Sequence, residues 1–203
     1  MEPIGFRAFT PLTLGFVAFV CLLLGACGTP THDQPAGRAN ATVVEVIDGD
    51  TVRLRLASPE QGTNRTEIVR LLGVDTPETI DPNRPAQCFG AEATTFLEQL
   101  LVPGTAVLLV RDQQTRDAFG RFLGYLFVED LRDTPSSADP ESPTAPASIF
   151  VNLELLRQGF GAALSISPNT TYRAVFAQAV REAHHNRVGL WAVCDGPDQP
   201  LDP

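Results

Sequence analysis

The 203-residue sequence predicts an α+β fold that is mainly β, on two observations. Five short apolar, strand-like runs, the first two rich in β-branched residues, recur along the middle of the chain, bounded by Gly, Pro, Asp or polar residues. A segment with helical spacing falls between the third and fourth runs, and two more follow the fifth. That order matches a five-stranded Greek-key barrel of the OB type with three helices.

The first 26 residues do not read as part of this domain. Arg7 precedes an apolar run that ends in Leu24-Gly25-Ala26-Cys27, the layout of a signal peptide and short for a membrane span. Small residues before Cys27 resemble a bacterial lipobox, with cleavage before Cys27 and lipid on its sulfur. Plain secretion and an uncleaved anchor are the alternatives. Residues 28–40, polar and rich in Pro and Gly, then form a tether, and the protein resides in the cell envelope as a membrane-anchored lipoprotein. Cys21 leaves with the signal, so Cys88 and Cys194 remain in the domain. Export favours a disulfide between them over two free thiols.

The domain itself spans 41–194. Runs 41–47 and 51–56 flank the turn Asp48-Gly49-Asp50 and read as a hairpin. Residues 67–74 form the third strand, after a polar connection over 58–65. Over 91–101, Phe96, Leu97, Leu100 and Leu101 fall at helical spacing, and Pro103-Gly104 stops the helix. Runs 107–110 and 122–128 complete the five strands. From 129 to 147 the chain turns to Pro, Ser, Asp and Glu and cannot bury a face, so a flexible surface insertion is expected. A short helix is expected over 151–158, ended by Gly159. In the last helix Tyr172, Val175, Phe176, Ala179, Val180 and Ala183 make one apolar stripe. Residues 195–203 are a tail.

Twenty-four acids oppose 15 bases, a net charge of −9 and a pI near 4.7, which argues against a protein that draws nucleic acid or anionic lipid by diffuse attraction. Every base is an arginine, a permanent cation able to donate paired hydrogen bonds. Much of the excess acid lies outside 41–128 and 148–194, where 14 acids face 12 arginines. Attraction to a polyanion must therefore be focused at a site.

Three clusters carry chemistry: Asp48-Gly49-Asp50-Thr51, Arg70 to Glu78 (RLLGVDTPE), and Asp117 to Arg121 (DAFGR). Asp48, Asp50, Asp75 and Glu78 are carboxylates at strand ends or turns, the ligand type of hard cations such as Ca²⁺. Arginines beside them suit a phosphoryl transition state, which gathers negative charge on its oxygens. Each cluster alone reads as an ordinary turn or cap; their joint occurrence in this order on this strand plan is what points to a site. His184-His185 near the end of the last helix read as favourable charges at a helix C-terminus, and Trp191 as a packing residue.

With VIDGDT (46–51), RLLGVDTPE, DAFGR, LLRQG (155–159) and GLW (189–191), the chain resembles the staphylococcal nuclease (thermonuclease) family from 41 to 191, outside the insertion. The resemblance implies a Ca²⁺-dependent phosphodiesterase acting on single-stranded or unwound DNA or RNA, as a monomer, and leaving 3′-phosphate ends. It implies metal ligation by Asp50, Asp75 and the Thr76 carbonyl, with Asp48 holding water around the ion. Glu78 would orient or deprotonate the attacking water, and Arg70 and Arg121 would grip the phosphate. The chain departs from the family at the substrate cleft: Phe119 stands for a tyrosine, and Leu164, Ile166 and Ser167 for two tyrosines and a lysine. The alternative is a non-catalytic barrel that binds nucleic acid or protein.

Overall fold

A computed structural model of the chain describes residues 38–57, 65–79, 85–129, 148–194, 196, 197 and 199. The chain divides into two units, Met1–Asp33 and Gln34–Pro203, and the described residues all lie in the second. The expected signal peptide, the expected lipidation site Cys27, most of the expected tether and the 130–147 part of the expected insertion lie outside the described residues. Among those described, no helix is long and apolar enough to cross a membrane.

Strands β1 (Ala41–Asp48) and β2 (Thr51–Leu56) form the hairpin, and β2 pairs with β3 (Arg65–Leu71). Strands β5 (Ala106–Val110) and β6 (Phe122–Glu129) pair with each other, and β5 runs antiparallel to β1. A parallel pairing of β3 with β6, with Val69 opposite Phe122 and Arg70 opposite Leu123, closes the barrel. Closure leaves these strands few open edges. Two register shifts in β1, after Val43 and after Val46, supply the local bend that closure needs.

Inward-facing Val43, Val52, Leu54, Val69, Leu71, Val107, Leu109 and Leu126 fill the barrel. Helix α1 (Gly90–Leu100) adds Leu97, with Leu101 just beyond it. Strand β6 is buried on both faces, because Tyr125 and Phe127 pack outward onto Phe150, Tyr172 and Phe176. Helix α2 (Val151–Arg157) and helix α3 (Arg173–His185) cover that side, and α3 uses the expected stripe, with Tyr172 preceding its first turn.

The five barrel strands and three main helices stand as the sequence predicts, with one correction and three additions. The third run is two strands: Gly73, at φ 79 and with Phe176 packed where a side chain would be, breaks it into β3 and β4 (Gly73–Asp75). Strand β7 (Ser148–Phe150) extends the sheet beside β6, β8 (Ala162–Leu164) pairs with β4, and a short α4 (Leu190–Val193) follows α3.

Candidate active site

Barrel closure assembles the site. Because β3 and β6 run parallel with Arg70 opposite Leu123, Arg70 and Arg121 come to one end of neighbouring strands. A cleft of about 330 Å³ opens there, lined by Arg70, Val74, Asp117, Phe119, Arg121 and Ile166 among others.

Arg70 is the hub. Its Nη2 donates to Asp75 Oδ1 at 2.9 Å and lies 3.0 Å from Asp50 Oδ2, while Nη1 donates to the Leu71 and Val74 carbonyls at 3.0 and 2.6 Å. Asp50 is buried, and its Oδ2 also accepts from the Thr76 amide and hydroxyl at 3.0 and 3.1 Å. Gly49 permits this approach, because a Cβ there would stand 2.6 Å from Thr76 Oγ1. Burial pushes the Asp50 carboxyl up from 3.8 to about 6; Arg70 opposes that rise and Asp48 adds to it. Asp75 is about half exposed, with 47% of its side chain open to solvent.

Asp48 stabilises the turn by accepting the Asp50 amide at 3.1 Å. Glu78 follows three residues after Asp75, and its carboxylate accepts the Thr79 amide at 2.9 Å. Arg121 is held by Asp117, whose Oδ1 accepts the Arg121 amide at 2.9 Å and whose Oδ2 accepts Arg121 Nε at 2.7 Å. Arg121 lines the cleft, with its Cζ 5.6 Å from the Phe119 ring centre. The structure thus brings Asp50, Arg70, Asp75 and Thr76 into direct contact and sets Arg121 in the same cleft.

The motifs gave no individual role to Asp117 or Gln87, although Asp117 opens the DAFGR cluster four residues before Arg121. Gln87, whose Oε1 accepts the Glu78 amide at 2.6 Å, carries no pattern at all. Cys88 and Cys194 are joined in a disulfide, with Cα atoms 6.2 Å apart. His184 and His185 end α3, and His184 packs edge-on to Trp191 at 5.2 Å. Among the described residues, no group of three or more His, Cys, Asp or Glu side chains gathers as a metal-binding cluster. The expected ligand set has two carboxylates, Asp50 and Asp75, with the Thr76 backbone carbonyl as third donor, and so does not make a group of three such side chains.

Fold and site together define an OB-type barrel with two arginines lining one cleft and two carboxylates gathered on one of them. The family profile described as "Staphylococcal nuclease homologue" matches residues 68–193. A thermonuclease of Staphylococcus intermedius is 33% identical over 149 residues, covering 73% of this chain and 74% of the relative. A thermonuclease of Staphylococcus hyicus is 30% identical over 164 residues, covering 78% and 82%. Endonuclease YncB of Bacillus subtilis is 30% identical over 166 residues, covering 81% and 67%. The chain belongs to the staphylococcal nuclease family.

Proposed function

We propose that this protein is a Ca²⁺-dependent nuclease that hydrolyses phosphodiester bonds of DNA or RNA and leaves 3′-phosphate and 5′-hydroxyl ends. The observation that carries the proposal is the convergence of Asp50 and Asp75 on one nitrogen of Arg70, a residue that lines one cleft with Arg121.

The donor set suits a hard divalent cation: Asp50 and Asp75 supply carboxylate oxygens, the Thr76 carbonyl a third ligand, and Asp48 a further negative charge close by. Burial already works against ionising Asp50, and a bound cation would favour its ionised form. When bound, Ca²⁺ supplies positive charge beside the scissile phosphate. Asp50, Asp75 and the Thr76 carbonyl would hold it; the protein's other groups perform the remaining tasks.

Arg70 and Arg121 grip the nonbridging phosphoryl oxygens and offset the charge that grows on them as phosphorus becomes pentacoordinate. Arg70 keeps its place because Nη1 is anchored on two backbone carbonyls, and Arg121 because Asp117 fixes its Nε. Glu78 orients a water for in-line attack and accepts its proton. The bond from phosphorus to the 5′ oxygen then breaks, and that oxygen leaves as a hydroxyl after protonation by solvent. In this reading the substrate is single-stranded or unwound nucleic acid and the protein acts as a monomer, as the family resemblance implies. The 1–27 segment supports a lipid anchor on Cys27 and a place in the cell envelope.

The deciding experiment digests single-stranded DNA and RNA with the full chain in Ca²⁺, Mg²⁺ or chelator and analyses the new ends. Ca²⁺-dependent release of 3′-phosphate ends is expected. Equal cleavage in chelator, or 5′-phosphate ends, would overturn the mechanism.

A further inference from the structure

The segment that carries Glu78 is tied down at its base by three different kinds of bond. The Glu78 amide donates to Gln87 Oε1 at 2.6 Å, and the Gln87 amide donates back to the Glu78 carbonyl at 2.8 Å. Gln87 therefore holds both polar groups of the Glu78 backbone. The next residue, Cys88, is covalently bound to Cys194. Cys194 in turn donates its amide to the Leu190 carbonyl at 2.8 Å, and the fully buried Leu190 donates its own amide to the Gly159 carbonyl at 2.9 Å. Gly159 follows α2, whose Leu155 and Leu156 are fully buried. An unbroken path of hydrogen bonds and one covalent bond thus runs from Glu78 through Gln87 and the disulfide to the core.

We propose that the Cys88–Cys194 disulfide, acting through Gln87, is a positioning clamp for Glu78, so that competence for hydrolysis is coupled to the oxidised state of this pair. The proposal rests on the role given to Glu78 above. The physical reason is that a general base must stand within hydrogen-bond reach of its water, and small displacements there are costly. Neighbouring contacts survive when the bridge opens: Phe89 stacks on Phe160 at 5.4 Å and Phe96 on Phe160 at 4.2 Å, which keeps α1 docked. Opening the bridge removes the covalent tie at Cys88 and leaves hydrogen bonds, from the Cys88 amide to the Gln199 carbonyl at 2.8 Å and from the Gly90 amide to the Gln87 carbonyl at 3.1 Å, to hold this register.

The redox step is thiol–disulfide exchange with a dithiol. The S–S bond accepts two electrons and two protons, Cys88 and Cys194 become thiols, and the dithiol closes its own disulfide. A reducing compartment would hold the chain in its less active form, and an oxidising one would complete the clamp.

The test compares four states of the full chain: oxidised, reduced with dithiothreitol, Cys88→Ser/Cys194→Ser, and reoxidised. Steady-state kinetics on single-stranded DNA with Ca²⁺ run beside circular dichroism, which reports the folded fraction. Turnover per folded molecule should fall about 10- to 100-fold without the bridge, with KM changed by less than about threefold, and reoxidation should restore it. Gln87→Met, which keeps the bridge, should show the same fall in kcat. Gln87→Glu, which keeps an acceptor oxygen, should recover most of it. Bridge-free protein that turns over within about twofold of the oxidised chain, a loss that merely tracks unfolding, or a Gln87→Glu variant as slow as Gln87→Met would each overturn the clamp. Hydrogen exchange at the Glu78 and Gln87 amides separates this from the function itself. If the oxidised chain cleaves nothing, the assigned activity fails, and the clamp then stands on faster exchange at both amides after reduction or falls on unchanged exchange.

Discussion

Arg70 Nη2 lies 3.0 Å from Asp50 Oδ2, and the register of the β2–β3 ladder puts it there. Thr51 pairs with Arg70, and the Leu71 amide donates to the Asp50 carbonyl at 2.8 Å. A slip of one residue would turn Arg70 into the barrel and Val69 out to the cleft. The core residues Val69 and Leu71, both essentially unexposed, forbid the slip. Burial of the barrel's apolar faces thus aims the guanidinium at the carboxylate.

Removing either arginine should cost most of the activity. Arg70→Ala and Arg121→Ala are expected to lower turnover by at least about a hundredfold, the size of effect when one transition-state donor is deleted. Arg70→Lys should not restore it, because a point charge cannot serve two carbonyls and two carboxylates from separate nitrogens. Steady-state kinetics check this, and losses under about tenfold would remove both residues from the mechanism.

Calcium should stabilise the folded chain. A ligand that binds only the folded state at about 100 times its Kd adds roughly 2.7 kcal/mol. For a chain of this size each kcal/mol raises Tm by about 2–4 °C. Calorimetry with and without chelator should show such a rise for the native chain and none for Asp50→Asn or Asp75→Asn. A Tm insensitive to Ca²⁺ would mean that these carboxylates do not hold it.

Acid should loosen the segment that carries Arg121. Burial acts to raise the carboxyls of Asp112 and Asp117, but hydrogen bonds from Tyr125 and the Thr171 amide to the first, and from Arg121 to the second, hold both below the ordinary 3.8. Groups depressed on folding contribute stability above their unfolded pKa and lose it as pH falls through the lower folded value. Urea denaturation from roughly pH 7 to 2 should therefore show a decline below pH 3.8, and Asp112→Asn/Asp117→Asn should be less stable at neutral pH with a shallower decline. Parallel curves for the two proteins would contradict the assignment.

Asn152 should prove a structural keystone. Wholly buried at the start of α2, its side chain accepts the Leu126 amide at 2.9 Å and donates to the Leu72 carbonyl at 2.8 Å. Asn152→Ala would strand both backbone groups away from water, at a cost of roughly 2–4 kcal/mol. Chemical denaturation measures it; a change under about 1 kcal/mol would show that water or relaxation satisfies them.

The cleft rim should bind bases loosely. Phe119, Ile166 and Leu164 are 86%, 62% and 38% exposed, and only the first presents a ring. Base stacking on an aromatic side chain is worth about 1–3 kcal/mol, so Ile166→Tyr should tighten a nucleotide inhibitor by about tenfold. Binding should weaken with salt along a shallow slope, since few phosphates are contacted. Isothermal titration at several salt concentrations tests both, and an inhibitor Kd unmoved by Ile166→Tyr would place the base away from this rim.

Much of this architecture was legible along the chain because it is local. β-Branched runs announce β1 and β2, apolar runs announce β5 and β6, and the stripe from Tyr172 to Ala183 announces α3. The breaks were harder: β3 and β4 read as one run because Gly73 alone does not say that Phe176 will pack against it. Strands β7 and β8 are three residues each and owe their existence to partners far away in sequence, so no period marks them. Within the site, Asp50, Asp75 and Arg70 stood out through their motifs, whereas Gln87 did not, since its bonds to Glu78 reach across nine residues.

By itself the sequence determined which residue types are available and where they lie on their own strands and turns: the acidic turn after β1, the arginine inside β3, the Gly-Arg pair before β6. Periodicity and turn chemistry act over a few residues, and that is their reach. Only the tertiary structure decided that Arg121 shares a cleft with Arg70, because that depends on the parallel β3–β6 pairing that closes the barrel. It also decided that Asp50 is buried against Arg70, and that Cys88 lies where it can meet Cys194. Such long-range pairings are selected by the joint burial of many apolar side chains, a property of the folded whole that no short window of sequence contains.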